Sequence, residues 1–172
     1  MTALDLDRVH MLQNVPTFGG INDEVLSFLL DHSKTVNRAA GQEVFHEGDY
    51  TASMFIIEEG EVAIFKQKAG QNCLMVTLGE GECLGEMALF DYMPRSASAV
   101  AHTKCSLIEI TSQNLYEVYK KDLEQFALLQ MNLGREIARR LRRADELCVK
   151  CPLRPGNESD SGVGVKPFRQ YQ

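Results

Sequence analysis

The stretch MFIIEEGEVAIF, residues 54–65, places two short apolar runs on either side of a single glycine. Each run has the length of a β-strand, and a glycine between acidic residues is typical of a tight turn, so a hairpin is expected at residues 59–61. Short apolar runs continue over residues 36–110. The glycines between these runs are Gly41, Gly48, Gly60, Gly70, Gly79 and Gly81. This spacing predicts an all-β barrel or sandwich.

Helical periodicity flanks the predicted strands on both sides. Upstream, residues 4–15 predict a short helix, and Asn22 is a candidate N-cap for a second helix that begins with two acidic residues. Downstream, residues 112–119 predict a short helix and residues 123–148 a long one. Two helices are therefore expected before the strands and two after them.

The domain organisation follows from these elements and from the length of the chain. A chain of 172 residues suits one ordinary domain and is short for two. We expect one domain over residues 1–150, with the barrel at about 36–110 and the C-terminal helices at about 112–148. Residues 152–172 are rich in Pro, Gly and Ser and predict a disordered tail.

The composition indicates a globular protein that binds no membrane. Hydrophobic residues make up 44% of the chain, yet no run approaches the roughly 20 apolar residues that cross a bilayer. The acidic N-terminus is unlike a signal peptide, and five cysteines, an odd number, favour reduced thiols. We therefore expect a cytoplasmic protein.

The formal net charge of −6 is unevenly distributed. Residues 1–122 carry −9, whereas residues 123–172 carry +3. An acidic body is a poor general surface for nucleic acid. Any anion that it binds has to be held by local donors, because the overall field opposes it.

The segment LGEMALFDYMPRSASAV, residues 84–100, interrupts the predicted strands with a short helical turn. The turn is expected to begin at Gly85, to run through residues 86–89 and to be ended by Pro94. Backbone N–H groups at its start, with close approach allowed at the glycine, predict an anion site. Arg95, expected on the next strand, offers a bidentate fork to a phosphate, and Ser96 adds a hydroxyl.

Glu86 is the unexpected member of this segment, since a carboxylate repels a phosphate. It suits the site if it accepts a hydrogen bond from a sugar hydroxyl while Arg95 neutralises the phosphate. A phosphorylated ribose requires such a pair. The alternative is an internal Glu86–Arg95 ion pair that braces the loop, and spacing alone leaves both open.

GEMAL at residues 85–89, followed by PRSA at 94–97, resembles the phosphate-binding cassette of cyclic nucleotide-binding domains. These domains occur in the catabolite activator protein family and in protein kinase A regulatory subunits. GQEVFHEGD at 41–49 is similar to that family's first strands, and the likeness extends over about residues 10–148. The resemblance implies an α+β, mainly β fold: an eight-stranded jelly-roll β-barrel with N-terminal helices and a long C-terminal helix.

The resemblance also implies a ligand and a role for each cassette residue. The ligand is cyclic AMP or cyclic GMP, with no cofactor and no catalytic residues. Arg95, Ser96 and the amides around Met87 and Ala88 would hold the cyclic phosphate, while Glu86 and Gly85 would hold the ribose hydroxyl. The predicted ligand-binding residues are Gly85, Glu86, Met87, Ala88, Arg95, Ser96 and Ala97.

The base of the ligand is not implied by the resemblance. In the catabolite activator family a Thr-Ser pair on the long helix reaches adenine, within the subunit and across the dimer. The aligned positions in this chain are Ala144 and Asp145, which lack the hydroxyls. Candidate contacts on the base side are Leu84, Leu141, Ala144 and Asp145.

The long helix carries a seam of small and apolar residues. Its members, spaced 3, 4, 3 and 4 residues apart, are Gly134, Ile137, Leu141, Ala144 and Cys148. This a/d pattern predicts a homodimer, although fewer than three heptads are present and the face alternatively packs back on the barrel. Arginines at 135, 139, 140, 142 and 143 offer a partner patch or an ordinary solvated helix face.

Cys148 and Cys151 form a single CxxC at the end of this helix. Zinc usually needs four ligands, so one chain predicts no metal site. Two copies in a parallel dimer would supply four cysteines, for a metal or for intermolecular disulfides. The alternative is free thiols at a frayed helix end.

The leading hypothesis is a non-enzymatic cyclic nucleotide-binding signalling module. Ligand occupancy would be transmitted through the C-terminal helix to a twin subunit or to an unidentified protein partner. Only 24 residues follow Cys148, where the transcriptional regulators continue into a helix-turn-helix domain, so a stand-alone domain without DNA binding is expected. Alternatives are a ligand-free dimeric scaffold, a redox-responsive interaction domain and, less favoured, a truncated transcription regulator.

Overall fold

A computed structural model describes residues 3–68 and 70–150 of the chain, with side chains for residues 6–68 and 70–146. The helices are α1 Ala3–Asn14, α2 Asp23–His32, α3 Ser112–Lys121 and α4 Leu123–Lys150. The strands are β1 Lys34–Arg38, β2 Glu43–Phe45, β3 Ser53–Glu59, β4 Val62–Lys68, β5 Gln71–Leu78, β6 Cys83–Leu84, β7 Ser98–Ala101 and β8 Cys105–Thr111. Two 3-10 turns lie at Pro16–Phe18 and Glu86–Leu89.

The strands pair antiparallel in two four-stranded sheets. The first sheet has the order β1-β8-β3-β6, and the second has the order β2-β7-β4-β5. The predicted jelly roll of eight strands with flanking helices, including the long C-terminal one, is confirmed. Because the two sheets are hydrogen-bonded separately, the architecture is a sandwich and not a closed barrel.

The hairpin predicted at residues 59–61 is wrong. β3 pairs within the first sheet and β4 within the second, so the turn carries the chain from one sheet to the other. Gly60 has a φ of 91°, and a Cβ at this position would collide with the carbonyl oxygen of Lys104. A turn at Gly60 could be predicted from the sequence. That its two flanking strands belong to different sheets could not be predicted, because this depends on the pairing of β3 with β8 and of β4 with β7.

β3 is buried on both faces over residues 53–57, which explains the continuous apolar run at residues 54–57. Phe55 and Ile57 face the core between the two sheets. Met54 and Ile56 face a second core, the helical core, which lies between the first sheet and the helices. Because side chains alternate along a strand, one strand contributes to both cores.

Specific polar contacts fix the helices to each other. Asn22 caps α2 as predicted, since its Oδ1 accepts a hydrogen bond from the Val25 N–H at 2.9 Å. Its backbone N–H donates to the Oε1 of Gln125 at 2.8 Å, and the Nδ2 of Asn132 donates to the Gly19 carbonyl at 2.8 Å. These bonds join the first part of α4 to the segment between α1 and α2.

The chain divides into two compact units, with the boundary between Arg139 and Arg140. Of the second unit the structure describes residues 140–150, which are helical. The side chain of Cys148, all of Cys151 and the tail 152–172 lie outside the described residues, so the metal, redox and disorder predictions there stay predictions. In the described part of the chain, no helix has both the length and the apolar character needed to cross a membrane.

We expect Ile56→Ala to lower the free energy of unfolding by about 2–5 kcal/mol, because it removes a fully buried side chain from the helical core. Val76→Ala is the matched control, since Val76 is 47% exposed on β5 and should change stability by about 0.5 kcal/mol or less. Urea unfolding measures both. Similar losses for the two variants would contradict the assignment of the core.

Candidate ligand-binding site

Gly85 connects β6 to the 3-10 turn Glu86–Leu89, which is the predicted short helical turn. Its φ of 78° is in the left-handed region, and a Cβ at this position would collide with the Nη1 atom of Arg95. Only glycine meets both requirements without strain. The turn ends at Leu89 with Phe90 as its C-cap, so the prediction that Pro94 ends it is wrong.

Arg95 lies in the loop that precedes β7 and not on the strand, which corrects its predicted placement. Its backbone N–H donates to the Asp49 carbonyl, and its own carbonyl accepts from the Gly48 N–H, both at 2.9 Å. This pair of bonds holds the loop against the segment between β2 and β3. The Arg95 side chain is thereby directed into the protein, where it is only 4% exposed.

Three hydrogen bonds hold the Arg95 guanidinium. Nη1 donates to the Gly85 carbonyl at 2.8 Å. Nε donates to Thr51 Oγ1 at 3.0 Å, and Nη2 donates to Ser53 Oγ at 3.1 Å. The guanidinium also lies over the Phe45 ring, 4.2 Å from its centroid. The cation is thus held by neutral acceptors and an aromatic face.

The charges around Arg95 are acidic. Burial lowers the pKa of its guanidinium, while the carboxylates of Glu109, Asp49 and Glu86 act in the opposite direction. Glu86 is 3% exposed, and its charge acts on the buried guanidinium. Arginine stays protonated in proteins, so the site contains a buried cation. This is the local donor that an acidic domain needs in order to bind an anion.

Ser96 is exposed next to Arg95, and its carbonyl oxygen accepts a hydrogen bond from Lys66 Nζ at 2.5 Å. The same ammonium contacts Glu47 Oε1 at 2.6 Å. A hydrogen bond from Lys66, followed by one from the Gln67 N–H, lowers the pKa of Glu47. Lys66 and Glu47 were not predicted as site residues, because they are distant in sequence from the cassette and only the fold brings them to Ser96.

The other residues predicted to contact the ligand differ in how far they are buried. Met87 is exposed, with its Sδ 4.0 Å from Ser96 Oγ, whereas Ala88 is buried and Ala97 half-buried. Leu84 is buried in the core between the sheets, opposite Phe55. The structure therefore brings the cassette residues together around one loop and one turn.

The candidate contacts Leu141, Ala144 and Asp145 belong to the second unit. All three side chains are exposed. Their role toward a base stays a prediction.

A cleft of about 180 Å³ adjoins the cassette. Its lining residues are Tyr50, Thr51, Ala52, Ala88, Tyr92 and Met93. Thr51 therefore lines the cleft and also accepts a hydrogen bond from the Arg95 guanidinium. This cleft could not be predicted from the sequence, because it forms between two segments that are separated by about 40 residues.

Residues 35–122 match the model of the cyclic nucleotide-binding domain, and this span includes the glycine turn and Arg95. The chain belongs to the cyclic nucleotide-binding domain family. The resemblance inferred from the cassette is thereby confirmed.

Named members of the family are similar to this cyclic nucleotide-binding domain. The cyclic AMP receptor protein of Thermus thermophilus is 31% identical over 135 residues, which cover 78% of this chain and 61% of the receptor. A cAMP-dependent protein kinase regulatory subunit of Neurospora crassa is 30% identical over 99 residues, covering 58% of this chain and 25% of the subunit. The relatives are a receptor and a regulatory subunit.

A solved structure supports the same placement. The crystal structure of the Thermus thermophilus catabolite activator protein has a TM-score of 0.69 and 32% identity to this domain. The match covers 78% of this chain and 62% of that chain. The chain thus spans about three fifths of the length of the receptor proteins that it matches.

Gly85→Ala should destabilise the domain more than Gly81→Ala does. Both glycines have a φ of 78°, but a Cβ at Gly81 meets open space, whereas one at Gly85 meets the Arg95 guanidinium. We expect about 1 kcal/mol for the backbone strain alone at Gly81 and at least about 2 kcal/mol at Gly85. Chemical denaturation measures both, and equal losses would contradict tight packing of Arg95 against the turn.

The Lys66–Glu47 pair should stabilise the domain in a pH-dependent manner. The folded-state pKa of Glu47 lies below its ordinary value of 4.5, so the contribution is full above that value and is lost as pH falls through the folded pKa. Lys66→Met should therefore lower the melting temperature at neutral pH and have a smaller effect at about pH 3. Lys68→Met, an exposed change on the same strand, is the control. A pH-independent difference would contradict the prediction.

Proposed function

We propose that this domain is a non-enzymatic regulatory module that binds a cyclic mononucleotide. The observation that carries the proposal is the buried Arg95 cation, held beside the Gly85 turn in an otherwise acidic domain. The family match and the names of its relatives support cyclic AMP as the ligand, with cyclic GMP as the alternative.

The cassette suits the two polar parts of such a ligand. The single negative charge of a cyclic phosphate pairs with Arg95, which can donate charge-assisted hydrogen bonds. Ser96, next along the chain, adds a hydroxyl donor, and the amides around Met87 and Ala88 add backbone donors. Glu86 accepts a hydrogen bond from the ribose hydroxyl, which explains a carboxylate this close to a phosphate site.

Ligand occupancy reaches α4 through the helical core. Leu89, at the end of the cassette turn, packs against the same core as Leu129 and Leu133 of α4. Gln125 and Asn132 connect this part of α4 to the segment between α1 and α2. A ligand that orders the cassette therefore shifts the population of helix positions, which is the signal.

We further propose a homodimer that forms through α4, with a second protein as the recipient of the signal. Support comes from the heptad spacing and from the exposed side chains of Met131 and Leu141 on this helix. The helix surface offered to a partner is the part of the molecule that the ligand would reposition. DNA is not proposed as a partner of this chain.

Titration calorimetry with cyclic AMP and with cyclic GMP tests the proposal. Arg95→Ala should weaken binding of the preferred nucleotide about 100-fold or more, because the buried phosphate loses its charge-assisted hydrogen bonds. Lys104→Ala, which removes an exposed cation, should bind like the wild type. If the wild type bound neither nucleotide, the proposal would fail and a ligand-free scaffold would be favoured.

Glu86→Ala should weaken binding about tenfold through the ribose. The same substitution should also abolish the preference for cyclic AMP over 2′-deoxy cyclic AMP, since the carboxylate is the expected acceptor for that hydroxyl. A preference that survives the substitution would assign the hydroxyl to another residue.

A further inference from the structure

We propose that Thr51 and Ser53 are positioning residues, which orient the Arg95 guanidinium so that its remaining N–H groups form the fork offered to the phosphate. The inference rests on the proposed function, because it assigns a role to two side chains behind the ligand-binding arginine. Neither residue belongs to the cassette segment at residues 84–100.

Part of the Arg95 guanidinium stays available to bind a ligand. A guanidinium has five N–H groups. Gly85, Thr51 and Ser53 accept one each in the structure. Two N–H groups remain after these three bonds, one on Nη1 and one on Nη2. Donors on these two neighbouring nitrogens are the geometry that binds two phosphate oxygens at once.

The two hydroxyls act together because they bond adjacent nitrogens from one short segment. Ser53 begins β3 and is 3% exposed, and Thr51 lies two residues before it. Phe45 packs against the face of the guanidinium and restricts its tilt. A stacked ring still allows the group to turn within its own plane, whereas bonds at Nε and Nη2 fix that rotation.

Neutral acceptors suit this task better than carboxylates. A carboxylate on the same two nitrogens would neutralise the cation and compete with the phosphate for it. Hydroxyl groups satisfy the buried donors without placing a negative charge on these two nitrogens. The orientation is also set before binding, so less conformational freedom is lost when the phosphate arrives.

Thr51→Val and Ser53→Ala test the inference, because each removes one acceptor and little volume. We expect each to weaken binding of cyclic AMP about tenfold, the usual effect of losing a hydrogen bond to a charged group. Thr51→Ser and Ser53→Thr retain the hydroxyl and should restore most of the affinity. Thermal unfolding of every variant identifies those that fold, and the surface position of Thr51 makes Thr51→Val the safer test.

A second readout separates orientation from general weakening. In the Sp and Rp phosphorothioate analogues of cyclic AMP, sulfur replaces one or the other exocyclic phosphate oxygen. The ratio of their affinities therefore reports how the two N–H groups of Arg95 are directed at these oxygens. We expect Thr51→Val to change this ratio by at least about threefold, which corresponds to a difference in binding free energy of about 0.6 kcal/mol. Equal weakening of both analogues, or an unchanged affinity, would overturn the inference.

The two proposals fail in distinguishable ways. If the wild type bound no cyclic nucleotide, the proposed function would fail and take the inference with it. If the wild type bound cyclic AMP and Arg95→Ala lost it, but Thr51→Val and Ser53→Ala bound with wild-type affinity and ratio, only the positioning role would fail.

Discussion

The buried guanidinium of Arg95 is the constraint on which the cassette depends. Moving a cation out of water is costly unless its donors find partners, and three of the five N–H groups of this one are bonded to a backbone carbonyl and two hydroxyls, while an aromatic ring covers one face. The partners come from three parts of the chain: Phe45 at the end of β2, the segment 51–53 that leads into β3, and Gly85 after β6. Gly85 has to be a glycine because Arg95 lies against it, and the loop from Phe90 to Ala97 has to follow the path that brings Arg95 inward.

Residues at or next to strands of both sheets surround the buried guanidinium. β2, β3 and β6 each contribute a residue at or near the guanidinium, and these strands belong to two different sheets. The acidic surroundings have a second effect, since the carboxylates of Glu109, Asp49 and Glu86 favour the charged form of the buried guanidinium.

The sequence predicted the local features well and the long-range ones poorly. Asn22 as a cap and the turn at Gly85 follow from rules that act within a few residues, whereas the eight strands were expected from the family resemblance. The transfer between sheets at Gly60 could not be predicted, because it depends on pairing with strands about 40 residues downstream. Thr51 and Ser53 were missed for the same reason: serine and threonine are common in loops, and only the fold brings these two to Arg95.

The order of strands in the first sheet has a consequence for how the chain folds. β8 is the last strand in the sequence, yet it lies in the interior of the sheet, between β1 and β3. β1 and β3 therefore have no shared partner until residues 105–111 have been synthesised, and pairing of β1 with β8 closes a loop of about 70 residues. Such non-local pairing makes folding slow relative to a helical domain of similar size. Because β3 is shared by both cores, the sandwich and the helical layer should assemble in one cooperative step and unfold together.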